Sequence, residues 1–149
     1  MNEPTTVLTD YALGAVAAWA AFQLLGQRVR SRFLWGIAFA ALAVGAFLGG
    51  TWHGFVRSDL LWKATVLSVG VTSFGMVAGS ALATMESKLL PVLAAMKLVA
   101  YTGWMLFHDE FIYVVLDTGI ALLVVAALDR KSTRLNSSHL SVSRMPSSA

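Results

Sequence analysis

The chain has 149 residues, 57% of them apolar and only 13% charged, with no cysteine. Its mean hydropathy is +0.70, which leaves too little polar surface to cover a soluble monomer and excludes disorder over most of the chain. The absence of cysteine excludes disulfides and thiolate metal sites.

The hydropathy pattern predicts an all-α, polytopic transmembrane bundle of five spans. A membrane helix needs about 20 mostly apolar residues. Five stretches meet that need, at about 9–26, 33–55, 60–83, 89–107 and 111–128. The first span opens at Thr9-Asp10, where Asp10 reads as a helix N-cap. It is no cleavable signal peptide, because the first residues lack a basic segment and contain Glu3. The second span carries Gly45 and Gly49 four residues apart, and the third carries Gly75 and Gly79 at the same spacing. Small residues so placed let helix backbones approach closely, which predicts tight contact between spans 2 and 3.

Short loops give the orientation. Arg28, Arg30, Arg32 and Lys88 fall on one side, against Arg57 on the other with Lys63 just inside span 3. Positive loops stay in the cytoplasm. The N-terminus is therefore expected outside, in the inner membrane of a bacterium, with the lipid bilayer as the partner.

Residues 1–128 hold seven basic and seven acidic side chains, so the net charge of +3 comes entirely from residues 129–149. The basic pI of about 9.6 thus gives no ground for a nucleic-acid partner. The final 21 residues contain seven serines and no aromatic residue. Asp129 to His139, then Ser143 to Ala149, resemble translated sequencing-adapter sequence interrupted by a three-residue index. That resemblance implies a non-native, disordered tail, and a natural bundle of six or seven helices cut near Leu128.

Ionisable residues inside spans are costly and point to function. His53, His108, Asp109 and Asp117 all fall in the outer half of the predicted bundle. Together they are candidate ligands for Zn²⁺, with Asp117 and His53 as candidate catalytic groups around a metal-bound water. Each also has a structural reading. His53 can hydrogen-bond a neighbouring helix. His108, Asp109 and Glu110 form a polar turn. Lys97 lies within one helical turn of Asp117 across a hairpin, so the two can form a structural pair. No HExxH, HxxxH, GxSxG or P-loop motif is present.

The pattern Thr9-Asp10-Tyr11, Gly49-Gly50-Thr51-Trp52-His53-Gly54-Phe55 and His108-Asp109-Glu110-Phe111 with Asp117 resembles an uncharacterised family of bacterial multi-pass membrane proteins. In size and layout these are similar to the alkaline ceramidase and adiponectin-receptor-like membrane hydrolases. That resemblance implies a zinc site of histidines, an aspartate and a serine, with His53 as the early histidine. The serine expected four residues before it is Gly49, span 3 lacks a buried aspartate, and the late HxxxH would lie beyond Leu128. The expected function is an integral membrane protein with an extracytoplasmic His/Asp cluster, as a metal-dependent hydrolase. Two alternatives stand beside it. One is a non-enzymatic sensor, transporter or assembly subunit; the other is a b-type haem protein using His53 and His108 as axial ligands.

Overall fold

A computed structural model describes residues 3–85, 88–108 and 110–142, with side chains as far as Thr133. Five helices follow in order: α1 (Pro4–Leu25), α2 (Arg30–Gly54), α3 (Asp59–Thr84), α4 (Leu89–Met105) and α5 (Phe111–Val142). Four of them, α1, α2, α3 and α5, are long and apolar enough to cross a membrane. The fourth in sequence, α4, has 17 residues and extends about 26 Å at 1.5 Å per residue, the short end of the spanning range.

The helix ends differ from expectation at two places. Helix α1 begins at Pro4, not Thr9. Proline lacks the N–H that a first helical residue leaves unpaired, and its fixed φ suits that position. Thr9 is therefore inside the helix, where its hydroxyl donates to the carbonyls of Thr5 and Thr6 at 3.1 and 2.9 Å. Asp10 is not a cap. At the other end, α5 passes Leu128 without a break and continues to Val142. The apolar pattern stops at Leu128, but nothing there breaks a helix: Arg130 and Lys131 are good helix formers.

Helix α1 packs on α2, α2 on α3, and both α4 and α5 pack on α3. The hub is therefore α3, with 56% of its apolar window buried against 22% for α1 and for α5. Its composition explains this role. Along one side, Gly75 lies against the Leu34 carbonyl and Ala38, and Gly79 lies against Trp35. On the facing helix, Gly45 meets Ser68 and Gly49 meets Thr65. All four glycines thus sit in the α2–α3 interface, where no side chain holds the helices apart. Helix α2 uses a second pair on another face: Gly50 lies under the Tyr11 ring and Gly54 against Val7, both of α1.

The opposite side of α3 carries the stripe Val66, Gly70, Ser73 and Val77. These residues follow the i, i+4, i+7, i+11 spacing of one helix face. Val66 joins Tyr101, Met105 and Val114 in one apolar cluster. Val77 joins Ala94 and Ala121 in another. The level between the two clusters is polar, and it holds the first candidate site.

Candidate functional site

The polar level lies where α3, α4 and α5 meet. Lys97 Nζ contacts Asp117 Oδ1 at 2.6 Å, with the Asp117 side chain only 5% exposed. The ammonium also reaches the Asp117 carbonyl at 3.5 Å. Of the two sequence readings for Asp117, the structure has the pair with Lys97. Helix geometry accounts for it: Lys97 lies midway between Ala94 and Tyr101, which already face α3, and Asp117 lies between Val114 and Ala121, which face it too. A long lysine stem in that position reaches across to the neighbouring helix.

Tyr101, one turn from Lys97, covers Gly70 of α3 with its ring. Its hydroxyl donates to the Val66 carbonyl at 2.9 Å. That carbonyl belongs to α3 itself, so the bond ties α4 to the hub. Toward the other end, Lys97 borders a groove of about 220 Å³ between α4 and α5, walled by Leu90, Leu93, Ile120 and Val124.

The start of α1 and the end of α2 form a second polar group. His53 Nδ1 donates to Glu3 Oε2 at 2.9 Å, and Arg57 donates to the other Glu3 oxygen at 3.4 Å. The Arg57 guanidinium also lies 5.4 Å from the centre of the Trp52 ring, a cation–π distance. Thr51 gives its hydroxyl proton to the Phe47 carbonyl at 2.7 Å. Tyr11 is then the donor in its 3.0 Å contact with Thr51. These bonds fasten the start of α1 to the end of α2.

His108 belongs to neither group. It is exposed and stacks on Trp104, with ring centres 4.0 Å apart and planes 10° from parallel. Nearby, Lys63 donates to the Leu106 carbonyl at 3.0 Å, which satisfies a backbone oxygen left free beyond the end of α4. Asp109 lies outside the described residues.

Among the described residues, the candidate zinc ligands His53, His108 and Asp117 each have a different neighbour. His53 is held by Glu3, His108 by Trp104 and Asp117 by Lys97. Among the described residues, no three His, Cys, Asp or Glu side chains come together to hold a metal ion.

Sequence reasoning missed Glu3, Ser73 and Tyr101. Glu3 precedes Pro4, and that pair is a helix start, so its carboxylate could be placed at the mouth of α1. Ser73 and Tyr101 fall on the inward stripes of α3 and α4, a signal visible only once the facing helices are known.

No curated protein and no solved structure matches the chain. One family model matches residues 5–140 and so extends beyond Leu128 into the serine-rich segment. By that match the chain belongs to the family of unknown function DUF6962.

Proposed function

We propose that the protein crosses the bacterial cytoplasmic membrane five times, with its N-terminus outside, and that the Lys97–Asp117 pair is its working centre. It acts without covalent chemistry, as a transport-type bundle in which Asp117 takes up and releases a proton. The observation that carries this reading is the 2.6 Å contact of Lys97 with a carboxylate that is almost wholly buried. Charged groups at bilayer depth are costly, pair with one another and mark ion or proton pathways. A role confined to packing is served as well by apolar residues of similar volume.

The arrangement also supplies two states. With Asp117 ionised, Lys97 is held on it. With Asp117 protonated, the attraction is lost and Lys97, whose side chain is 31% exposed, is released from its partner. A local charge change that releases one of two arrangements is the basis of a switch.

Proteoliposomes test this. The full chain, reconstituted with a pH-sensitive dye inside, is expected to dissipate an imposed pH gradient faster than protein-free vesicles. Asp117→Asn is expected to return the rate to background. Equal rates for the two proteins would remove the reading. Zinc retained in stoichiometric amount by the wild type and lost in His53→Ala would put the ceramidase-like hydrolase in its place.

A further inference from the structure

Among the described residues, two buried side-chain oxygens have no hydrogen-bond partner within the protein: Ser73 Oγ and Asp117 Oδ2. Ser73 is 0% exposed and Asp117 7%. Orphaned polar atoms are rare in protein interiors and rarer at membrane depth, where no solvent reaches them.

Ser73 breaks a local habit. Thr65, Ser68, Thr72 and Thr84 each donate their hydroxyl to an α3 carbonyl three or four residues back. That bond is the usual outlet for a hydroxyl inside a helix. Ser73 makes none, so its hydroxyl is kept available.

Both residues lie between the two apolar clusters. On α3, Ser73 stands between Gly70, which is covered by Tyr101, and Val77. On α5, Asp117 stands between Val114 and Ala121. Val66, Tyr101, Met105 and Val114 close this level on one side. Val77, Ala94 and Ala121 close it on the other. The polar residues thus fall between the two apolar clusters on three facing stripes, with the Lys97 side chain 31% exposed at the edge.

We infer that Ser73 and Asp117 form an occluded site for water between α3 and α5. The water donates to Asp117 Oδ2, the oxygen that Lys97 does not use, and accepts from Ser73 Oγ–H. Buried waters take such places, joining polar groups that are otherwise unsatisfied. The charge of the site suits this guest. Lys97 neutralises Asp117, so the site lacks the net negative charge that a metal cation would require. The meaning of the site rests on the proposed proton role of the same ion pair; its existence rests on the two orphaned oxygens.

Infrared spectroscopy of the full chain in bilayers, hydrated with ordinary or heavy-oxygen water, tests the site. The wild type is expected to show an isotope-sensitive O–H stretching band of confined water. Ser73→Ala is expected to lose it and to melt at or below the wild-type temperature. A wild type without such a band, or a band unchanged in Ser73→Ala, would overturn the inference. So would Ser73→Ala melting above the wild type, because removing an orphaned hydroxyl from a dry core relieves its burial. If Ser73→Ala does not fold, the double variant Lys97→Met with Asp117→Asn replaces it, with loss or displacement of the band expected and an unchanged band decisive against the site. The vesicle measurement separates the two claims. Proton flux without the water band removes the site and leaves the transport role; the band without flux does the reverse.

Discussion

At the residue scale, the Lys97–Asp117 ion pair and the Glu3–His53 hydrogen bond both join residues distant in sequence, yet their environments make them unequal. Asp117 is enclosed by three helices, whereas the Glu3 and His53 side chains are 43% and 29% exposed. Breaking a buried pair leaves one charge without compensation and costs about 3–5 kcal/mol. Lys97→Met alone and Asp117→Asn alone should each lower stability, the first by that order. Lys97→Met combined with Asp117→Leu should recover most of the loss, because neither charge is then stranded. Chemical unfolding in detergent would measure all three. A double variant no more stable than Lys97→Met would show that the pair does not act as a unit. His53→Ala should cost less than about 1 kcal/mol in the same assay, since water screens an exposed pair.

At the element scale, close approach is decided helix by helix. A Cβ at Gly75 would fall 2.8 Å from the Leu34 carbonyl and 2.9 Å from the Ala38 nitrogen. Backbone atoms cannot turn aside as a side chain does, so Gly75→Ala should push α2 and α3 apart at a cost of about 1–3 kcal/mol. Gly119 is the control, because a Cβ there meets nothing within 4 Å. Gly119→Ala should be neutral or gain up to about 1 kcal/mol from helix propensity. Thermal unfolding of the two variants side by side reads the difference. Helix α5 raises a separate question, since its backbone continues through the adapter-like segment to Val142. Its contacts with α3 come from Val114, Asp117, Ala121 and the residues just beyond. A chain ending at Leu128 should therefore keep its melting temperature and its proton flux. A marked loss of either would show that the later turns contribute to the bundle.

At the scale of the whole molecule, the charge pattern and the polar groups give a testable orientation. The basic loop from Arg28 to Arg32 and the Glu3–His53–Arg57 group lie at opposite ends of α2. The chain has no cysteine, so single-cysteine variants report without background. Val56→Cys should react with a membrane-impermeant maleimide in intact cells, and Gln27→Cys only after the cells are opened. The reverse pattern would place the N-terminus inside. The outward apolar surface fits the same picture: Trp19, Phe22, Met96 and Val99 are each more than half exposed. Apolar side chains so placed are stable against lipid and costly in water.

Much of this protein was legible from residue order. Long runs of apolar residues bounded by charges and glycines allow only helices at bilayer depth, because each backbone polar group must be satisfied within its own segment. The five helices, their order and the small-residue faces of α2 and α3 follow from that local rule. The start of α1 was misread, because Thr9-Asp10 imitates a cap and the stronger signal at Pro4 lies outside the apolar run. The candidate site was legible only in part. Asp117 stood out as a carboxylate in an apolar helix, and Lys97 was within reach of it. Which of them met, and that Ser73 and Tyr101 are buried among the facing helices, depended on the rotation of three helices about their axes. His53, His108 and Asp117 were grouped because they fall at similar depth along the chain. Depth is set by counting residues within one helix. Azimuth is set by how ridges and glycines of different helices interlock, and that is where the tertiary structure gave His53 to Glu3, His108 to Trp104 and Asp117 to Lys97.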